Sequence, residues 1–89
     1  MIKTDTLIIN KLGLHARAAS KLVNTAVLFE SQIRIGREQQ MADAKSIMSV
    51  MILAASKGTT LQLEIDGDDE ESACTAILDL IKRRFDEDE

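Results

Sequence analysis

The stretch Thr60-Leu61-Gln62-Leu63-Glu64-Ile65-Asp66 puts Leu61, Leu63 and Ile65 on one face and Thr60, Gln62 and Glu64 on the other. Side chains alternate across a strand, so this segment is a strand buried on one side and wet on the other. A one-sided strand belongs in an antiparallel sheet, and the rest of the chain has to cover its apolar face. Residues 16 to 29 supply one cover: Ala19, Leu22, Val23 and Ala26 recur at helical spacing, with Lys21 and Asn24 elsewhere around the wheel. A last helix supplies another through Ala73, Ile77, Leu80 and Ile81. It is closed by Lys82, Arg83 and Arg84, which suit the negative end of the helix dipole. Asp68 followed by Glu71 reads as its capping box, with Asp in the cap position.

Three further strands complete the sheet: residues 4 to 9, the alternation Ile33 and Ile35 closing at Gly36, and a short strand around Gln40 to Ala42. Residues 46 to 55 read as a short helix, stopped by Gly58 after Lys57. The order is β-α-β-β-α-β-α. It predicts an α+β fold, a two-layer open-faced sandwich with a four-stranded antiparallel sheet and three helices on one face. Residues 1–89 read as one domain without linker or repeat, and residues 86–89 as a short acidic tail that is a solvated end.

Composition removes several classes of function. At 45% apolar and 29% charged residues the chain has a globular composition. Phe29 and Phe85 are its only aromatic residues, so aliphatic side chains build the core. A net charge of −4, with no basic patch interleaved with aromatics, argues against nucleic acid as a partner. One histidine and one cysteine leave no ligand set for a structural zinc, and no metal or other cofactor is expected. The lone Cys74 has no disulfide partner and reads as a small apolar residue of the last helix. No apolar run approaches a membrane span or a signal sequence, which favours a cytoplasmic protein without membrane insertion.

The single histidine, His15, stands in Gly13-Leu14-His15-Ala16-Arg17-Ala18-Ala19, where the first helix is about to begin. Taken alone, a histidine at a loop–helix junction is a tolerated surface or capping group. Three local features favour chemistry. His15 occupies the cap position, where Ser, Thr, Asp or Asn would satisfy the free N–H groups of the first turn; an imidazole does so poorly. An open helix N-terminus is a ready site for phosphate. Arg17 adds a permanent positive charge at the end of the helix where the dipole disfavours it, which makes sense where a dianion visits. The result is a phosphate cradle of Ala16, Arg17 and Ala18 around an imidazole whose neutral form is the nucleophile. No Walker-type glycine loop or metal-binding Asp/Asn set accompanies it, so the phosphoryl group has to come from, and go to, other proteins.

The stretch Lys11-Leu12-Gly13-Leu14-His15-Ala16-Arg17-Ala18-Ala19, the later Ala44-Lys45-Ser46-Ile47-Met48-Ser49-Val50-Met51 and the element order together resemble the HPr family, the phosphocarriers of bacterial phosphotransferase systems. The resemblance covers essentially the whole chain. It implies that His15 is phosphorylated on Nδ1 with help from Arg17. Enzyme I, charged by phosphoenolpyruvate, would be the donor, and an enzyme II A-type protein the acceptor. The family's usual proline after the arginine is Ala18 here, which together with the Phe85-Asp86-Glu87-Asp88 ending looks more like the nitrogen-related NPr branch than a sugar-uptake member. Alanine also restores an N–H in the first turn and frees Arg17 to adopt helical angles.

Ile47, Met48 and Met51 fall off the stripe that Val50, Leu53 and Ala54 would bury, so the short helix is apolar nearly all round. Either they are loose core residues or they form a docking patch, for which adaptable methionine is suited. The resemblance supports docking beside the histidine, flanked by Leu14, Ser20, Asn24 and Val27. Ser46 is well placed as the cap of this helix. In some family members the matching serine is phosphorylated by a dedicated kinase, which hinders docking, so the resemblance also makes Ser46 a candidate regulatory site. A carrier that serves two partners through one surface is expected to be a monomer. Two other classes remain: a small phosphatase that releases phosphate to water, and a regulatory binding module whose phosphorylation state is read by partners. Whether a carrier counts as an enzyme is convention, since the transfer chemistry is shared with its partners.

Overall fold

The computed structural model describes residues 1–89. Its elements are β1 (Ile2–Leu7), α1 (Ala16–Ala26), β2 (Gln32–Arg37), β3 (Gln40–Asp43), α2 (Ile47–Ile52), β4 (Thr60–Asp66) and α3 (Glu70–Lys82). The four strands form one sheet in the order β1-β4-β2-β3, with every neighbouring pair antiparallel. The most cleanly alternating strand, β4, is an interior strand paired on both sides. Its Leu63 lies opposite Thr4 of β1 and Ile35 of β2, and its Ile65 opposite Ile2 and Ile33.

The face carrying Leu61, Leu63, Ile65, Ile33 and Ile35 is buried. Against it α3 lays Ala73, Ile77, Leu80 and Ile81, and α1 adds Ala18, Ala19, Leu22 and Ala26. The alanines bring the helix backbones close to their neighbours, so α1 packs on α2 and α3 while α3 covers β1 and β4. The opposite face of the sheet holds Lys3, Asp5, Gln32, Arg34, Gln62 and Glu64, with an Arg34–Glu64 ion pair at 3.8 Å, and stays wet. This is the expected open-faced sandwich.

Several details differ from the sequence expectation. The first strand runs from Ile2 to Leu7 because Ile2, Thr4 and Thr6 take the inward positions against β4, two of them filled by threonine. Ile8 follows as a fully buried residue that still bonds the segment before β4. Helix α1 ends at Ala26, after which the N–H groups of Leu28 and Phe29 turn to carbonyls three residues back. Ala54 is exposed at φ 49°, and Ala55 takes the buried position. Gly58, at φ 92°, serves the turn into β4 rather than stopping α2, which ends at Ile52. The cap of α3 is Asp69 instead of Asp68, and its carboxylate does not bond its own helix. It accepts from the backbone N–H groups of Glu30 and Ser31, each at 2.9 Å, and from the Ser31 hydroxyl. Cys74 packs half-buried beside the core, and burial pushes its thiol up from the ordinary value.

Candidate functional site

The loop before α1 is held by backbone geometry. Gly13 sits at φ 66°, and a Cβ there would come within 2.8 Å of the Ser56 Cα, so only glycine lets the loop lie against the segment after α2. The Leu14 N–H donates to the Ala55 carbonyl at 2.8 Å, which ties the start of α1 to the segment after α2. Leu14 itself is only 5% exposed. It is a core anchor, and the expectation that it flanks a docking surface is corrected by its burial.

His15 follows as the N-cap of α1, in an extended conformation and with no side-chain capping bond. Its carbonyl accepts from the Ala19 N–H at 2.8 Å, while the N–H groups of Ala16, Arg17 and Ala18 enter no hydrogen bond of the chain. The first turn carries no acidic residue. Arg17 is exposed and enters none of the ion pairs, so its guanidinium is free beside these donors. Ala18 is fully buried on its side-chain face, which is how a small residue seats the first turn against the core.

The sequence reading missed the far end of the chain. Residues 86–89 do not form a free solvated tail. After α3, Arg84, Phe85 and Asp86 turn left-handed, with φ of 57°, 53° and 64°. Non-glycine residues take this conformation at a cost of about 1–2 kcal/mol each. Burial of the Phe85 ring offsets it, together with Lys21 of α1, whose ammonium donates to the Phe85 carbonyl at 3.0 Å and pairs with Asp86 at 3.5 Å. The turn sends the chain back across the start of α1. The Lys11 N–H donates to the Glu89 carbonyl at 2.9 Å, and the Glu87 carboxylate reaches the Nε2 of His15.

Glu87 is also bound by Asn10. The buried Asn10 amide donates from Nδ2 to the Gly13 carbonyl at 2.8 Å and to Glu87 Oε1 at 2.9 Å. Both partners are acceptors, which fixes the orientation of the amide. Burial pushes the Glu87 carboxyl up, but the bonds from Asn10 and His15 and the nearby Arg17 charge outweigh it and hold the group below the ordinary carboxylate range. Lys11, Leu12, His15, Ala16 and Arg17 on one side and Glu87 to Glu89 on the other line an open cavity of about 810 Å³. The only sequence signal for this closure was an acidic run in a chain whose one open helix start is positive, and no local pattern linked the two.

The second stretch lies alongside. Ser46 caps α2, its Oγ accepting from the Ser49 N–H at 3.4 Å. Ile47, Met48 and Met51 are 38%, 68% and 40% exposed, so they are not loose core residues. On α1, Asn24 is exposed, Ser20 is half-buried, and Val27 just beyond the helix is 54% exposed. Val50 and Leu53 provide the buried side of α2.

The fold and the site define a small open-faced sandwich arranged around one imidazole at an uncapped helix start. Comparison with known proteins agrees at the level of family. The family model described as the PTS HPr component phosphorylation site matches residues 2–83. The chain is 55% identical to the phosphocarrier protein HPr of Cupriavidus necator over all of both chains. It is 54% identical to that of Pseudomonas aeruginosa over 96% of each. The crystal structure of HPr-C-His from Thermoanaerobacter tengcongensis superposes with a TM-score of 0.96 at 44% identity, covering 100% of both chains. The chain belongs to the HPr family and is a phosphocarrier of the phosphotransferase system. The regulatory-module alternative is not favoured by these relatives, each of which carries the HPr name.

Proposed function

We propose that His15 carries the phosphoryl group on Nδ1 and that Arg17, with the N–H groups of Ala16, Arg17 and Ala18, binds the phosphoryl oxygens. The observation that carries this reading is the start of α1: unused N–H donors and an unpaired arginine beside the only histidine. In the transfer the Nδ1 lone pair attacks phosphorus in line, the N–P bond forms, and the bond from phosphorus to the donor protein breaks with its electron pair. The reverse attack by the acceptor returns the ring to its starting state. No metal-binding group is needed on this chain, because the charge of the moving phosphoryl is met by Arg17 and the helix end.

Enzyme I is the proposed donor and an enzyme II A-type protein the proposed acceptor. Ile47, Met48 and Met51, with Ser20, Asn24 and Val27, form the proposed docking surface around the histidine. Their exposure supports it, and methionine adapts to two unlike partners. Ser46 lies at the edge of that surface, where a phosphate would add about −1.5 to −2 charge, so a serine kinase acting there would weaken docking. The chain has no helix long and apolar enough to cross a membrane. A cytoplasmic monomer is the proposed state, because one surface has to serve two partners in turn.

The test is phosphorylation from phosphoenolpyruvate in the presence of enzyme I, read by intact mass on wild type and His15→Ala. A single acid-labile phosphate on wild type and none on the variant is expected. Equal labelling of both proteins overturns the assignment of His15.

A further inference from the structure

The Asn10–Glu87–His15 chain of bonds has no part in the phosphate contacts proposed above, and Glu87 itself lies beyond residues 2–83 matched by the family model. We propose that Glu87 is a positioning residue for the phosphoryl-accepting histidine: its carboxylate holds the Nε2–H tautomer of His15 and so presents the Nδ1 lone pair to phosphorus. The inference rests on the reading of His15 as the phosphorylated residue.

An ionised carboxylate offers only lone pairs, so a bond between Glu87 and Nε2 requires the proton to sit on Nε2. A neutral imidazole has one proton, and placing it on Nε2 leaves Nδ1 as the bare nucleophile. When Nδ1 bonds to phosphorus, Nε2 keeps its proton and the ring takes on positive charge, while the donor leaves with the electron pair of the broken bond. Glu87 faces that charge across the Nε2–H bond and stabilises it. A buried carboxylate does the same for the imidazolium of a hydrolase triad. On transfer to the acceptor the N–P electrons return to the ring and the charge disappears.

The scaffold is built to hold this carboxylate. Its second oxygen is bound by Asn10, which is fully buried and bonded to the same loop that carries His15. Asn10 accepts a cost for this arrangement, since its Oδ1 is buried without a partner. The backbone is held left-handed from Arg84 to Asp86 to bring Glu87 round, with Phe85 as the plug. A tail tied down for stability alone would not require one oxygen on the ring nitrogen and the other on a buried amide.

The test uses the full chain with Glu87→Gln and Glu87→Ala. The nitrogen-15 signals of the His15 ring at neutral pH report the tautomer without any phosphorylation, and the rate of labelling by the charged donor reports the consequence. In wild type the Nε2–H form is expected to dominate. In Glu87→Gln the amide oxygen takes the Asn10 donor and its NH2 faces Nε2, which favours the opposite tautomer; in Glu87→Ala the two forms mix. Both variants are expected to label about tenfold more slowly while still accepting one phosphate. Unchanged tautomer signals and rates, or faster labelling of either variant, overturn the proposal. Failure of His15→Ala to lose the label would instead overturn the reading beneath it.

Discussion

Helices α1 and α3 begin in opposite ways. The first turn of α3 carries Glu70 and Glu71, and Asp69 stands at its cap. Carboxylates there complement the positive end of the dipole. Glu70 further accepts from the Gly67 N–H at 3.2 Å, and Asp69 binds the segment between α1 and β2. The first turn of α1 has no acidic residue, has Arg17 in its place, and leaves its N–H groups unused. One start is arranged for stability. The other is left unsatisfied by its own neighbours, and the carboxylate that bonds its cap residue, Glu87, comes from 72 residues further along. The unused donors at this helix end are what the proposed phosphoryl site rests on.

The comparison breaks most forcefully at Phe85, the anchor that lets the far end of the chain reach the start of α1. Phe85→Ala is expected to lose about 3–5 kcal/mol in urea unfolding, the range for a large buried ring. It should also free the tail, seen as loss of the Glu87 contact in nuclear magnetic resonance. A melt that stays at the wild-type midpoint would mean that the tail is not tied to the core as the buried ring implies.

Arg17→Glu sharpens the contrast, because it gives α1 the kind of first turn that α3 has. Labelling by the charged donor should fall about 100-fold, comparable to loss of one oxyanion donor and equivalent to about 2.7 kcal/mol. The unfolding midpoint should change little, since the new carboxylate suits the dipole but puts a like charge near Glu87. Loss of both rate and stability would show that Arg17 is structural.

Ser46→Ala addresses the third helix start, which has an ordinary cap. The Oγ–N distance of 3.4 Å is long, so the expected cost is about 0.5–1 kcal/mol by urea titration. Labelling at His15 should not change.

The smallest effect is a dependence on pH at the start of α3. The Ser31 hydroxyl, and then the Glu30 N–H, hold the Asp69 carboxyl below its ordinary value of 3.8 in the fold. Glu70 is lowered as well, by the Gly67 N–H and the chain's amino group. The unfolded chain therefore binds more protons in this range, so stability rises with pH. The contribution is complete only clear above the unfolded values of 3.8 and 4.5, from about pH 5.5 upward, and disappears as the pH falls through the lowered folded values. Asp69→Asn should flatten the acid limb of the melting profile below pH 4 and leave its slope near neutrality unchanged. An unaltered acid limb would dissociate Asp69 from this role.

Much of this was legible in the residues. The alternation Leu61, Leu63, Ile65 and the periodic apolar positions of α1 and α3 are repeats of 2 and 3.6 residues that any reader of the chain can follow. They located β4 to the residue and the buried stripe of α3 completely. Where elements stop was less legible. The end of α1 and the limits of β1 follow from cross-strand register and tightened last turns, which depend on partners distant in sequence. The cap of α3 was misread because Asp68, Asp69, Glu70 and Glu71 form a run in which spacing alone does not choose.

The sequence by itself determined the candidate histidine, because a lone imidazole at an uncapped helix start with an arginine two residues on is a local pattern. Only the tertiary structure decided what faces it. Leu14, adjacent to His15, proved to be a core residue, and Glu87, in a run that reads as a solvated tail, proved to be its ring partner. The reason is physical: periodicity and capping act over a turn or two of chain. The approach of residue 87 to residue 15 depends on the summed path of the sheet and both long helices, and on a left-handed turn that Phe85 holds by burial. No short stretch of sequence contains that sum.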